Sequence, residues 1–453
     1  MPMDPRFFES YFQEQKFDLV EVAAEIEKAP TDVPTYQNLF TEDLPAFTAR
    51  LNGVREELRE PHNKGKLNLI VIGCGGTFQS AETDHGYAPS GSLKESFDAL
   101  NLPKDEAVNL TLIDLMNLDS SQMNVDHWRF LAKSIIALEK EAGDLYDGII
   151  VTHGTDTMSK GASYLSFMLQ GFPKSIIFTG SQVPARKEGT DAKDQMERAI
   201  ITAKLAANPN RKIAEVMVAC GLKIARGTWS AKQGDMTTNA FAPWNQPNQA
   251  YDANDWERAA ADGTLDRLAP ALLDFSVGKS IGSLEFAGHA RDIEHKGQYR
   301  PFTEITKPAD IVAIQLSDMG PRALARYIQC ADVSVLTQLG SATADDRLVQ
   351  VALAAANRGK AIIFKAPFAD STVQSGTYAA GAAVSEEIPY VKRPLPIINT
   401  SPDALSAKAN FLLHSEGIMQ NGREVPGLGI AFLSDDLRRY YDAMATNIVG
   451  ELV

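Results

Sequence analysis

The sequence predicts an α/β protein in which a larger, doubly wound parallel-sheet domain is followed by a smaller α/β domain. Three observations predict this fold. Short apolar runs of strand length alternate with segments of helical periodicity along most of the chain. The runs are apolar almost throughout, which is typical of strands buried on both faces of a parallel sheet. Polar or glycine residues follow the run ends, where open α/β sheets bind their ligands.

The first 65 residues are polar and proline-interrupted, with aromatic residues at roughly helical spacing. We interpret 1–65 as a helical N-terminal extension, packed on the main body or on a neighbouring subunit, in preference to an independent domain.

The larger domain is assigned to residues 66–244. Because helical patterns separate several of its strand candidates, a parallel sheet is expected, with the strand ends converging on one crevice. The predicted strands are 67–72, 108–113, 148–152, 175–179 and 215–219, and the predicted helices are 125–141, 158–170 and 192–207.

Residues 245–306 are polar and are interpreted as a linker with an insertion at 251–278. Alternation resumes in 307–453, which we assign to the smaller C-terminal domain. Its predicted strands are 311–316, 333–336, 361–364 and 395–398. One helix is predicted to begin at 321, and three more are predicted over 345–357, 402–413 and 435–445.

Composition excludes several classes of function. The chain has 453 residues, a net charge of −14 and no basic run, which disfavours nucleic acid as a partner. No apolar stretch is long enough to span a membrane, and no secretory signal is visible at the start. Three scattered cysteines and seven scattered histidines indicate neither a disulfide framework nor a metal site, so we expect a cytoplasmic protein.

The segment 67–77 is the first candidate for a functional site. An apolar strand ends in glycines and then in Thr77, whose hydroxyl would lie just past the strand's carboxyl end. A dinucleotide-binding turn is the alternative, but the final glycine of that motif is missing. Taken alone, this turn fits a ligand loop and a purely structural turn about equally well.

A second strand end reads His-Gly-Thr-Asp-Thr at 153–157. Asp156 is able to cap the following helix through backbone N–H groups, yet three hydroxyls around one glycine exceed what a cap needs. As a bare pattern it fits a helix cap and a catalytic or binding loop equally.

Lys232 is the third candidate. A lysine is by default a solvated surface charge. If Lys232 lies in the crevice beside Asp156, it becomes the base that a weakly nucleophilic threonine requires. Partial burial would let such a lysine lose its proton more readily, and the carboxylate would orient it.

The spaced combination of these motifs over residues 66–445 resembles the bacterial-type L-asparaginases, and the cytoplasmic type I form most closely. The two signatures stand here at 74–77 and 153–158. Supporting matches, in the family's order, are Gly-Tyr-Ala-Pro at 86–89, Asp-Ser-Ser-Gln-Met at 119–123 and Phe-Thr-Gly-Ser-Gln at 178–182.

The resemblance implies a cofactor-free amidohydrolase acting on the side-chain amide of L-asparagine, with glutamine as an alternative substrate. It implies Thr77 as the nucleophile and Tyr87 as a lid residue that polarises it. The implied proton-transfer triad is Thr155, Asp156 and Lys232. The implied substrate-binding residues are Gly76, Ser120, Ser121, Gly154 and Ser181. The resemblance further implies a small-molecule substrate. It also implies that the chain assembles with copies of itself into a homo-oligomer, either a dimer or a tetramer.

The sequence also departs from the family. The C-terminal loops at 339–343 and 366–368 differ from the segments that are usual in the family. The sequence therefore does not identify the residues that complete the substrate pocket. Two alternatives follow. An asparaginase-like subunit of a tRNA-dependent amidotransferase normally carries a β-rich N-terminal domain, unlike the extension here. A non-catalytic amino-acid-binding relative would fit the altered loops, although it would tend to lose the nucleophile and the triad.

Overall fold

The computed structural model describes residues 43–448, apart from 245–301 and short breaks at 85, 208–213, 222–223, 236, 307, 340–342, 369–381, 426–428 and 447. The first described element is helix α1 (Leu44–Arg59), which begins where Asp43 accepts a hydrogen bond from the Ala46 amide. It buries Phe47, Leu51 and Leu58 against the main body. Most of the predicted N-terminal extension, and the predicted insertion at 251–278, lie outside the described residues.

A six-stranded sheet forms the larger domain, in the order β4-β1-β5-β6-β7-β8. The first five strands run parallel and β8 is antiparallel to β7. The strands are β1 (Leu67–Gly75), β4 (Val108–Leu118), β5 (Gly148–Thr152), β6 (Ser175–Thr179), β7 (Val216–Ala219) and β8 (Ile224–Arg226). All five predicted strands of this domain are present, with β1 and β4 extending further than their apolar runs.

The helices of this domain are α2 (Leu93–Leu100), α3 (Val125–Ala142), α4 (Met158–Met168) and α5 (Ala192–Ala206). Helix α2 was not predicted, although Ser92 and Glu95 form a capping box at its start. Two hairpins were also not predicted. One pairs β2 (Ser80–Thr83) with β3 (Gly86–Pro89), and the other pairs β9 (Ser230–Lys232) with β10 (Phe241–Pro243).

The smaller domain contains a four-stranded parallel sheet in the order β11-β12-β13-β14. Its strands are β11 (Ile311–Gln315), β12 (Val333–Thr337), β13 (Ala361–Lys365) and β14 (Ile397–Ile398), and a separate hairpin joins β15 (Arg423–Val425) to β16 (Gly429–Ala431). Its helices are α6 (Pro321–Cys330), α7 (Asp346–Ala356), α8 (Pro402–Ser415), α9 (Ile418–Asn421) and α10 (Ser434–Met444). This confirms the predicted fold class, whereas the domain bounds 66–244 and 307–453 stay predictions.

The two sheets share one hydrophobic core through the packing of α8 on α4. The rings of Phe167 and Phe411 stack with centroids 5.9 Å apart, and the Asn410 amide donates to the Tyr164 hydroxyl at 3.2 Å. The Ser401 hydroxyl donates to the backbone carbonyl of Thr228 at 3.0 Å, beside the turn that precedes β9. No helix among residues 43–244 and 302–448 is long and apolar enough to cross a membrane.

Candidate active site

The ends of β1 and β5 meet in direct backbone contact. Gly76 has φ +69°, a conformation that favours glycine, and a Cβ placed on it would come within 2.3 Å of the Gly154 Cα. A Cβ on Gly154 would in turn lie 2.4 Å from the Ser120 Oγ. Thr77 and Thr155 directly follow these two glycines, so the close approach of the two turns brings both threonines to one edge of the sheet.

Gln79 holds this edge together and was missed by the sequence analysis. Its buried side-chain oxygen accepts from the Gly75 amide at 2.9 Å, and its nitrogen donates to Asp114 Oδ1 at 3.1 Å. The same oxygen lies 3.5 Å from the Thr152 hydroxyl. One side chain therefore connects the ends of β1, β4 and β5. The signal in the sequence that could have indicated this role is a polar glutamine two residues after Thr77, next to Phe78.

Lys232 lies beside Asp156, which is the condition that the sequence analysis set for it to act as a base. Its Nζ is 3.1 Å from Thr155 Oγ1 and 2.6 Å from Asp156 Oδ1, although the two segments are more than seventy residues apart in sequence. The Lys232 side chain is 17% exposed and that of Asp156 is 56% exposed, so the pair lies at the mouth of the crevice. Lys232 is the last residue of β9 and pairs with Phe241 of β10, so the hairpin fixes the position of the lysine backbone.

The structure decides one open alternative and contradicts one expectation about this group. Asp156 does not cap helix α4, because Thr157 occupies the N-cap position and no side chain caps it, and the Asp156 carboxylate binds Lys232. The pKa of Lys232 is not lowered. Burial is the largest single influence and lowers this pKa, but hydrogen bonds and charges from Asp156 and Asp235 together raise it above the ordinary value. Asp235 was not among the predicted site residues.

Ser120 connects the loop at 119–123 to the motif at 153–157. Its hydroxyl accepts from the Asp156 amide at 3.2 Å, and its carbonyl accepts from the Thr157 hydroxyl at 2.8 Å. Ser121, in contrast, is exposed, and its hydroxyl donates to Asp119 Oδ1 at 2.7 Å. Of these two predicted residues, the structure therefore places only Ser120 in contact with the triad segment.

A buried neutral histidine supports the Gly154 turn from behind. Trp128 Nε1 donates to His153 Nε2 at 3.4 Å, so the other ring nitrogen carries the proton and donates to the Gly154 carbonyl at 2.7 Å. Burial lowers the pKa of His153 to about 4. Ser181, at the end of β6, is buried nearby in the sheet edge, and its hydroxyl has no hydrogen-bond partner among the described residues.

Tyr87 lies on the β2–β3 hairpin, directly opposite Glu82. The implied lid residue therefore lies on a hairpin, in which the backbone groups of Ser80–Thr83 pair with those of Gly86–Pro89. Tyr87 is 45% exposed, and the Lys187 ammonium lies 4.8 Å from the centre of its ring. The tyrosine thus stands at the surface on an element that begins three residues after Thr77.

One groove in the described part of the chain lies away from these groups. It measures about 860 Å³ and includes Lys66 and Val108, next to the amino ends of β1 and β4. In parallel sheets, ligands bind at the carboxyl ends of the strands, and the motifs assemble there. We therefore place the candidate site at the carboxyl edge. Across the described residues, no group of three or more histidine, cysteine or acidic side chains is arranged to hold a metal ion.

Comparison with known families finds a match for the part of the chain that contains the candidate site. The family described as Asparaginase, N-terminal, matches residues 68–259. The chain is 32% identical over 185 residues to the L-asparaginase of Thermococcus kodakarensis, covering 41% of this chain and 53% of that protein. It is 33% identical over 185 residues to L-asparaginase 1 of Escherichia coli K12, covering 40% and 52%. The chain thus spans about half the length of these curated relatives.

A relative with a different name also aligns. The human 60 kDa lysophospholipase is 32% identical over 246 residues, which cover 53% of this chain and 39% of that protein.

Solved structures confirm the fold over a wider range. The thermostable L-asparaginase from Thermococcus kodakarensis superposes with a TM-score of 0.59 at 24% identity, covering 85% of this chain and 99% of that chain. L-asparaginase I from Vibrio cholerae superposes with a TM-score of 0.62 at 22% identity, covering 86% and 99%. At these identities the likeness establishes the fold alone.

Proposed function

We propose that this chain, whose residues 68–259 match the family described as Asparaginase, N-terminal, hydrolyses the side-chain amide of L-asparagine to L-aspartate and ammonia. The observation that carries the proposal is the contact of Lys232 with both Thr155 and Asp156 beside the Thr77 turn. Amide hydrolysis needs a nucleophile, a proton carrier and hydrogen-bond donors for the developing oxyanion. The carboxyl edge of the sheet offers all three types of group.

In the proposed reaction, the Thr77 oxygen forms a bond to the amide carbon of the substrate. The hydroxyl proton passes through Thr155 and Lys232 to the departing nitrogen, which leaves as ammonia. Water then attacks the ester carbon, Thr77 is released with its proton restored, and aspartate departs. Backbone N–H groups of the glycine turns at 76 and 154 are the proposed oxyanion donors.

The remaining predicted residues take supporting roles in the proposal. Ser120 holds the amino-acid end of the substrate with Asp156, whose carboxylate is exposed enough to face it. Tyr87 closes over the substrate when the β2–β3 hairpin moves inward, and Ser181 and Ser121 contribute further polar contacts. The protein works without a cofactor, in the cytoplasm, as a homo-oligomer. Glutamine, longer by one methylene, is a second substrate to be measured.

Steady-state ammonia release from asparagine and glutamine tests the proposal directly. We expect Thr77→Ala and Lys232→Met each to lose more than about a hundredfold of kcat, because each removes a group that acts on the reacting atoms. Circular dichroism should show that both variants keep the fold. Thr446→Ala and Lys94→Met change the same residue types at exposed positions and should retain wild-type rates.

Full activity of Thr77→Ala would reject the nucleophile. Wild-type protein that binds aspartate in calorimetry without releasing ammonia from either amide would show a non-catalytic binding protein instead. Co-purification with tRNA and a partner protein, with ammonia release only in that complex, would favour the amidotransferase alternative.

A further inference from the structure

The Lys232 ammonium has a second carboxylate partner that the proposed triad does not use. Asp235 Oδ1 lies 2.5 Å from Lys232 Nζ, and Asp156 Oδ1 lies 2.6 Å from the same nitrogen. With Thr155 Oγ1 at 3.1 Å, three acceptors surround one ammonium group. An ammonium group has three N–H donors, so every donor is used in this state.

A lysine in this state cannot accept a proton. The proposed reaction requires Lys232 to take up the proton that Thr77 releases, and this needs a free lone pair on the nitrogen. Each carboxylate at hydrogen-bond distance stabilises the charged form over the neutral form. This arrangement therefore favours the charged form of Lys232, and a change in its surroundings must precede its action as a base.

Asp235 is the partner that is able to leave. It lies in the loop between β9 and β10, and its side chain is 77% exposed, so it can turn into water at little cost. Asp156 is held more firmly, because its backbone amide donates to the Ser120 hydroxyl and it directly follows the buried Thr155. The two carboxylates thus differ in freedom although they bind the same atom.

Other titratable groups around Lys232 are more remote from its ammonium. The Cys220 thiol, after β7, has a pKa of about 12, raised by burial first and then by the charge of Asp191. A hydrogen bond to the Gly180 carbonyl and the charges of Lys232 and Arg198 lower that same pKa. A neutral thiol does not compete with the carboxylates, so Asp156 and Asp235 are the groups that determine the charge of Lys232.

We propose that Asp235 is a positioning residue that holds Lys232 charged and oriented, and that releases it for proton uptake when its carboxylate turns away. This inference rests on the proposed function and extends it, because it assigns the control of the base to a residue outside the triad. In the substrate-free protein the lysine is held by both carboxylates. When substrate fills the mouth of the crevice, Asp235 turns to solvent and the Lys232 ammonium gives one proton to water. Asp156 alone then orients the neutral amine, whose lone pair accepts the proton from Thr77.

The pH dependence of kcat for ammonia release from asparagine tests this role. Asp235→Asn keeps the shape and an acceptor oxygen but removes the charge, so the acidic limb of the profile should move to lower pH with KM unchanged. Asp235→Glu keeps the charge and should return the limb toward the wild-type position. Asp98→Asn removes a carboxylate from an exposed lysine pair at 2.7 Å elsewhere, and should leave the profile unmoved.

A direct titration separates this inference from the proposed function. In protein labelled with 13C at the lysine Cε, NMR reports the titration of Lys232, assigned by the missing signal in Lys232→Arg. Asp235→Asn should lower the titration midpoint relative to wild type, and Asp98→Asn should not. Equal midpoints in Asp235→Asn and wild type would overturn the inference, whether or not ammonia is released. A lowered midpoint in a protein that releases no ammonia would reject only the proposed function.

Discussion

At the residue scale, the candidate site depends on groups whose charge is fixed by their surroundings. Lys232 is charged because two carboxylates outweigh its burial, whereas His153 is neutral because burial outweighs its hydrogen bond to Gly154. A lowered pKa was expected for Lys232, and the hydrogen bonds and charges of Asp156 and Asp235 together reverse that expectation. The histidine was quoted as part of a motif, and its supporting role behind the turn became visible through Trp128.

His153 gives a prediction about stability at acidic pH. Its pKa falls from 6.5 to about 4 on folding, so below about pH 6.5 the unfolded chain binds a proton that the folded protein excludes. The stability that this group contributes is complete above pH 6.5 and is lost as the pH falls toward 4. The full loss is about 3 kcal/mol in the free energy of unfolding.

Denaturant unfolding of wild type and His153→Asn at pH 7 and pH 4.5 measures this contribution. The asparagine amide can replace the hydrogen bond to the Gly154 carbonyl but does not titrate. We expect the variant to lose less free energy of unfolding than wild type between the two pH values. Equal losses would mean that the imidazole stays protonated or exposed in the folded state.

At the element scale, the site is formed by the contact of two strand ends. Gly76 and Gly65 both have positive φ, +69° and +82°, but only Gly76 faces another backbone. Alanine substitutions at Gly65 and Gly76 therefore distinguish two costs in the free energy of folding: that of the left-handed backbone conformation and that of the close contact with another backbone. A side chain at Gly65 meets nothing within 4 Å, whereas one at Gly76 collides with the Gly154 turn.

Gly76→Ala should lower the free energy of unfolding by about 3 kcal/mol or more, because the β1 and β5 ends must separate. Gly65→Ala should cost about 1 kcal/mol, the cost of the left-handed conformation alone. Thermal unfolding followed by circular dichroism gives both values, and ammonia release should be lost only in Gly76→Ala. Similar effects of the two substitutions would show that the strand ends do not touch in solution.

At the scale of the whole molecule, the two sheets are joined through one core rather than through a surface contact. Helix α8 of the smaller domain packs on α4, whose amino end directly follows the Thr155 turn. A disturbance of α8 therefore acts on the element that begins at the candidate site, and the two domains should unfold together.

Phe411→Ala tests this coupling. The ring is fully buried against Phe167, so its truncation should lower the free energy of unfolding by about 4 kcal/mol. Calorimetry should show one transition at a lower temperature, because both domains share the damaged core. Tyr327→Ala removes a 49% exposed ring and should change the transition little. Two separated transitions in Phe411→Ala would show that the domains unfold independently.

Local pattern was sufficient for much of this protein. The runs at 148–152 and 175–179 were predicted with the bounds that the structure has, since buried parallel strands are apolar throughout and end at polar residues. The amphipathic helices α3, α5 and α7 were also located to within a residue at most ends. The hairpins β2–β3 and β9–β10 were missed because each is short and pairs residues that carry little strand signal.

The sequence by itself determined the fold class, the order of the predicted strands and the identity of the chemical groups, because periodicity and motif spacing are local properties. Only the tertiary structure decided which groups meet. The contact of Lys232 with Thr155, the Gln79 connection of three strands and the second carboxylate at Asp235 depend on distances between segments far apart in the chain. The charge of a side chain is a sum over such neighbours, and no local pattern contains that sum.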